Sequence, residues 1–150
     1  MKIAAILAEK GREVVSVTGP ASVREIVSII ASRRIGAVVV LAEADRLAGI
    51  VSERDVVKAL AAKGEAALNM TAQDIMTEAV ITATPETSIN EAIAMMDEGY
   101  FRHLPVVDGG KLVGIISVRD VVRAHMQTQA LEVDSLKDYV FRGSKTDGLR

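Results

Sequence analysis

The sequence predicts an α/β (α+β) fold of two copies of one strand–helix–strand–strand–helix unit, and three observations lead there. The stretch "GIVSERDVVKAL" at Gly49–Leu60 returns as "GIISVRDVVRAH" at Gly114–His125, identical at eight of twelve positions and 65 residues further on. The segments ahead of it match as well: "VTGPASVREIVSII" (Val17–Ile30) with "ATPETSINEAIAMM" (Ala83–Met96), and "IGAVVVLAEADRLAGI" with "HLPVVDGGKLVGI". Both copies also pass through the same sequence of periodicities. Self-similarity of this kind marks a repeat architecture.

The elements follow in order. "MKIAAILAEKG" is a short apolar run that meets Glu9 and Lys10 at once. It is too short for a secretory signal with a cleavage site, so it reads as an N-terminal helix. Val23, Ile26, Val27 and Ile30 fall at i, i+3, i+4, i+7, as do Ile89, Ala92, Ile93 and Met96, which predicts one amphipathic helix per copy. Val38–Leu41 is a β-branched run suited to a strand buried on both faces. A turn follows, "AEADR" in one copy and "DGGK" in the other, the latter a strong hairpin signal. Then come short strands, Leu47–Val51 and Leu112–Ile116, and a second helix that opens at Ser-x-Arg-Asp.

Between the copies lies a linker in which Asp74-Ile75-Met76-Thr77 should be ordered, because its apolar residues need cover. After the second copy a helical stripe runs on to about Phe141 and requires a partner. These assignments give residues 1–64 to repeat one with the N-terminal helix, 65–79 to the linker, 80–127 to repeat two, and 128–150 to a helical extension with a fraying tail. A unit of about 60 residues is marginal alone. Two copies facing each other across a pseudo-two-fold axis bury both sheets and leave symmetric clefts between them.

Composition excludes several functions. The chain has 150 residues, a formal net charge of −2 without a basic block, and 3% aromatics without Trp. General nucleic-acid binding therefore lacks both its electrostatic footprint and its stacking surfaces. There is no cysteine, hence no disulfide, thiol chemistry or Cys-ligated zinc, which suits a reducing cytoplasm. No apolar run approaches a membrane span of roughly 20 residues.

The Ser-x-x-Asp pair carries the chemistry. As structure, Ser52 with Asp55 and Ser117 with Asp120 approximate a capping box, contributing about 0.5–2 kcal/mol each. As a site, a helix N-terminus with free amides, a hydroxyl and an Arg suits a phosphate, and a carboxylate one turn in can accept two hydrogen bonds from a ribose diol. A cap needs no Arg, yet Arg54 and Arg119 stand in both copies. Gly49 and Gly114, three residues before each Ser, would let a ligand approach the backbone.

With "GIVSERD" and "GIISVRD", "IGAVVV" and "HLPVVD", and "DIMT" before the second copy, the sequence resembles a tandem pair of CBS domains, a Bateman module, of the stand-alone prokaryotic type, from about Val14 to Met126. The resemblance implies a β-α-β-β-α repeat, pseudo-two-fold symmetry, and adenine nucleotides in the clefts between repeats. It implies that Asp55 and Asp120 hold ribose hydroxyls and that Ser52 and Ser117 lie near phosphates. Arg54 and Arg119 stand where the family often has Ser or Thr, which favours a negatively charged ligand. It further implies cleft walls from Ile35, Gly36 and Ala37 and from Arg102, His103 and Leu104. Because family clefts mix the repeats, Asp120, Ser117, Arg102 and His103 should face Ile35–Ala37. Asp55 and Ser52 should face the Leu104-Pro105 wall and the Met76–Val80 linker.

His103 near phosphate should gain a proton and shift upward; as a surface residue it would only bond a carbonyl. His125 reads as a packing residue and the six Met as core filling. The one nucleophile constellation, Ser117 with His103 and Asp120, lacks a supporting elbow, so no catalytic residue is assigned. No His/carboxylate cluster has metal-ligand spacing, although Mg could arrive with a nucleotide. The function expected is a regulatory or energy-sensing module that is not an enzyme. It would bind AMP, ADP, ATP or NAD(H), form a homodimer through the CBS modules and the last helix, and signal to an unidentified regulated protein. The competing expectation is a ligand-independent interaction scaffold with vestigial clefts.

Overall fold

The first amphipathic stripe folds as its spacing dictates. In the computed structural model, which describes residues 1–143 with side chains through 130, a helix α1 covers Ile3–Lys10 and a short strand β1 covers Ser16–Val17. Helix α2 then spans Val23–Arg33. Ser22 caps it by accepting the Glu25 amide at 3.1 Å, and Val23 and Ile26 are fully buried. Strand β2 (Ala37–Leu41) is buried along nearly its whole length, β3 spans Leu47–Ser52, and α3 spans Glu53–Lys63. A short helix α4 (Ala72–Ile75) crosses to the second copy. There α5 covers Ile89–Gly99, β4 His103–Asp108, β5 Lys111–Ser117 and α6 Val118–Gly143.

The two copies share a register. Ala37 pairs with Ser52 and Val40 with Gly49; His103 pairs with Ser117 and Val106 with Gly114. Each antiparallel pair has an irregularity one step later, at Val40/Leu41 and at Val106/Val107. Where repeat one has β1 parallel to β2, repeat two has a single parallel bridge from Ala83 to Val106. The hairpin "DGGK" turns through Gly109 and Gly110 at φ +61° and +81°, a conformation open to glycine without steric cost.

Each repeat has its own core, and each core borrows a helix from outside the repeat. In repeat one, Val23, Ile26, Val38, Val40 and Val51 pack with Ile75 and Met76 of the linker, which confirms its order. In repeat two, Ile89, Leu104, Val106 and Ile116 pack with Ile3, Ile6 and Leu7 of α1. The N-terminal helix, grouped with repeat one by chain order, is thus packed on repeat two. Three nearly fully buried aliphatics, at roughly 1.5–3 kcal/mol each, hold it there.

The docking bonds of α1 and α4 correspond one to one. Ala72 N donates to Ala21 O (2.7 Å), Gln73 N to Gly19 O (3.1 Å), and Val23 N to Met70 O (2.8 Å). Ile3 N donates to Thr87 O (2.9 Å), Ala4 N to Pro85 O (2.9 Å), and Ile89 N to Met1 O (3.1 Å). These bonds satisfy helix-start amides that would otherwise lack partners. Helix α1 is therefore to repeat two what α4 is to repeat one.

Backbone helix continues to Gly143, in agreement with the sequence pattern. The stripe side chains Val133, Leu136 and Val140 and the tail 144–150 lie outside the described residues. Among the described residues no helix is long and apolar enough to cross a membrane, and no group of His, Asp and Glu is arranged to hold a metal ion.

Candidate functional site

A cleft of about 490 Å³ opens between the repeats. The start of α3 supplies Ser52, Glu53, Arg54, Asp55 and Lys58; the end of α5 and start of β4 supply Tyr100, Phe101, Arg102 and His103. Gly36 forms part of the floor, and the linker closes one side with Thr77, Ala79, Val80 and Ile81.

The carboxylate at its centre is positioned by its own helix. Asp55 Oδ2 accepts the Ser52 amide at 2.8 Å and the Ser52 hydroxyl at 3.1 Å, while the Asp55 amide reaches Ser52 Oγ at 3.4 Å. That is a complete capping box. The other oxygen, Oδ1, has only the Thr77 hydroxyl at 3.5 Å, a weak contact. Cap and ligand site therefore do not compete for Asp55, because one oxygen serves each. Arg54, Lys58 and Arg102 bring three cations to the walls against the carboxylates of Glu53 and Asp55.

Of the sequence-predicted residues, the cleft brings together Ser52, Arg54, Asp55, Gly36, Val80, Arg102 and His103. Arg102 and His103, expected beside Asp120, also line the cleft at Asp55. Gly36 is closely packed: a Cβ there would lie 2.9 Å from His103 Cε1 and 3.1 Å from Glu53 Oε1. Ile35 is half-buried against the first core, and Ala37 is buried. Leu104 is fully buried in the second core and Pro105 is buried as well, and the lining of this cleft includes neither.

Ser117 and Asp120 form the second cap with matching bonds of 2.8, 3.1 and 3.2 Å. Its surroundings differ, because Lys10 Nζ donates to Asp120 Oδ2 at 2.7 Å and to Ile115 O at 2.9 Å. Burial works against the Asp120 charge, but the Lys10 hydrogen bond, the Ser117 amide and the Lys10 charge together hold its carboxyl below the ordinary range. Arg119 lies instead along an outer groove with Val118, Val122, Arg123 and Met126.

The upward shift expected of His103 belongs to a cleft with phosphate in it; without one the shift runs the other way. The His103 pKa is lowered, first by burial and then by Lys10, with Arg102 adding to this and Glu53 and Asp120 opposing. In the free protein the imidazole is therefore disfavoured as a cation. His125 is partly buried on α6, as a packing residue would be.

Gly49 and Gly114 also serve another purpose than ligand approach. A Cβ on Gly49 would lie 2.6 Å from Met76 Sδ and 2.8 Å from Thr77 O; on Gly114 it would lie 2.6 Å from Leu7 Cδ2. Their bareness admits α4 and α1 against the strands. Thr77, Ala79 and Val80 fall within the Met76–Val80 linker expected to face Asp55, whereas sequence reasoning missed Lys58, Ile81, Tyr100 and Lys10. Only Lys58 had a signal, since "RDVVK" and "RDVVR" repeat a basic residue four positions after the Arg, on the same helix face.

Comparison with known proteins follows the geometry. A family model described as CBS domain matches residues 10–62 and again 72–127. A crystal structure of a CBS-domain-containing protein from Agrobacterium tumefaciens is 38% identical, with a TM-score of 0.80, covering 83% of this chain and 92% of that one. A CBS domain protein from Pyrobaculum aerophilum complexed with AMP is 31% identical, with a TM-score of 0.71, covering 80% and 89%. The CBS domain pair of the protein MJ0100, in complex with 5-methylthioadenosine and S-adenosyl-L-methionine, is 26% identical, with a TM-score of 0.75, covering 85% and 98%. The chain spans 61%, 54% and 58% of the length of the first curated relatives it matches.

Proposed function

The chain belongs to the CBS-domain family as a tandem pair, and from that premise we propose that it is a regulatory module whose open cleft binds an adenine nucleotide. The observation that carries this reading is the Asp55 carboxylate, fixed by its own cap through Oδ2, with Oδ1 turned to a cleft that also holds Arg54, Lys58 and Arg102. The carboxylate suits a ribose diol, the cations suit phosphate, and Val80, Ile81 and Tyr100 at the rim suit a flat base. Similar pairs bind AMP in one case and methylthioadenosine with S-adenosylmethionine in another, which supports an adenosine-containing ligand.

The three cations favour a phosphorylated ligand over a sulfonium one. AMP, ADP, ATP and NAD(H) meet that requirement, and Mg would enter only with a polyphosphate. The ligand acts by differential affinity for two arrangements of the repeats or of a dimer, since equal affinity would shift nothing. The output passes to a protein partner.

Dimerisation has its own support. Val57 (62% exposed) on α3 and Val122 (47%) on α6 occupy equivalent positions of the repeat, and Met126 (63%), one turn after Val122, makes an exposed apolar stripe with it on α6. A homodimer would cover it, and sedimentation of wild type beside Val122→Glu tests that.

Isothermal titration with AMP, ATP, NADH and S-adenosylmethionine tests the nucleotide reading. AMP or ATP should bind at micromolar to millimolar concentration, and more weakly as salt rises. Absence of binding by all four would leave the scaffold reading.

A further inference from the structure

On the reading that the cleft at Asp55 takes a nucleotide, we infer that the second cleft is held shut by the chain's own Lys10, so that the protein takes one nucleotide and not two. The pseudo-symmetry of the fold makes the comparison residue by residue. On the Asp55 side, the chain leaving α4 presents Thr77. Its amide donates to Ile50 O at 2.9 Å, and its hydroxyl stands 3.5 Å from Asp55 Oδ1. On the Asp120 side, the last turn of α1, the counterpart of α4, presents Lys10. Its ammonium donates to Ile115 O at 2.9 Å and to Asp120 Oδ2 at 2.7 Å. Ile115 and Ile50 are equivalent in the repeat, as are Asp120 and Asp55.

One side chain thus reaches the counterparts of both groups that Thr77 contacts, but with a charge and a longer reach, and on the carboxylate it takes Oδ2, the cap oxygen, where Thr77 stands on Oδ1. A ribose diol approaching Asp55 has a short, weakly bound neutral hydroxyl to displace. The same diol approaching Asp120 meets a carboxylate whose charge an ammonium already balances through a short, charge-assisted bond on Oδ2, with the Lys10 side chain standing beside the oxygen the diol would use. The competitor is tethered, so its effective concentration stays high whatever the nucleotide concentration. Leu7, Ile6 and Ile3 keep α1 seated in the second core, so the gate is the Lys10 side chain and not the helix. Register adds to the closure: Gly36 lies one residue before the Ala37–Ser52 pair, and the corresponding place before His103–Ser117 holds Arg102.

Titration calorimetry with AMP on wild type, Lys10→Met, Lys10→Arg and the double variant Lys10→Met/Asp55→Asn tests this. Wild type and Lys10→Arg should bind one AMP per chain, Lys10→Met two, and the double variant one. Two sites in wild type, or a single site remaining in Lys10→Met, would overturn the gate. No site in wild type with one in Lys10→Met would uphold the gate and overturn the reading of the open cleft. No binding by any variant would overturn both. Lys10→Gln replaces Lys10→Met should the latter lose its cooperative melting transition.

Discussion

Ser52 and Asp55 hold each other through three hydrogen bonds, two of them to a single carboxylate oxygen, Oδ2. The helix start is thereby closed without consuming Oδ1. This division separates stability from binding and lets the two be measured apart. Asp55→Asn keeps an oxygen for the cap, so its melting temperature should stay within a few degrees of wild type. Its AMP affinity should fall by at least about tenfold, from loss of a charged acceptor. Asp55→Ala should lose both, with roughly 1 kcal/mol of stability from the cap. Calorimetry beside thermal melting checks the pair.

The two glycines that admit α4 and α1 should differ in tolerance. A Cβ at Gly49 meets the Thr77 carbonyl, which is backbone in a bridge to Ile50, whereas the nearest atoms to one at Gly114 belong to the Leu7 side chain. Gly49→Ala should therefore cost about 1–3 kcal/mol in urea unfolding, and Gly114→Ala less, because Leu7 can rotate.

Asp120 has a folded-state pKa below its unfolded one. Its contribution is complete above the ordinary carboxylate range and is lost as pH falls through the folded value. Unfolding free energy should drop more steeply for wild type than for Asp120→Asn between about pH 5 and pH 3. Parallel curves would show that the Lys10 contact contributes nothing in solution.

His103 has the same sign by a different route. Its folded pKa is depressed, so the unfolded chain takes a proton first as pH falls below about 6.5, and stability declines from there toward the folded value. His103→Gln should flatten that decline. The groups that face His103 are Lys10 and Arg102, which oppose its charge, and Glu53 and Asp120, which favour it. A phosphate in the cleft would add to the second pair. The Hε1 resonance should titrate below the ordinary range in free protein and higher with AMP bound, with proton uptake on binding near pH 6.5.

The repeats were legible because each carries its own local signals: the stripe at Val23–Ile30, the run at Val38–Leu41, and the duplicated Ser-x-Arg-Asp. Both caps and the hairpin at Gly109-Gly110 follow from residue type and position alone. The seat of α1 was not legible, because nothing within eight residues says which of two similar cores will receive them. Lys10 meets Asp120 across 110 positions of chain, and no local pattern encodes such a contact. The burial of Leu104 was not legible either, because β4 is buried at Leu104, Pro105 and Val106 in succession, and adjacency to His103 does not show which residues the second core takes.

A crystal structure of the protein grown with millimolar AMP tests the central claim most directly. The ribose should lie against Asp55 in the cleft between Gly36 and Arg102–His103, with its phosphate among Arg54, Lys58 and Arg102, and Lys10 still on Asp120. A cleft at Asp55 without nucleotide, or AMP bound elsewhere on the chain, would contradict it.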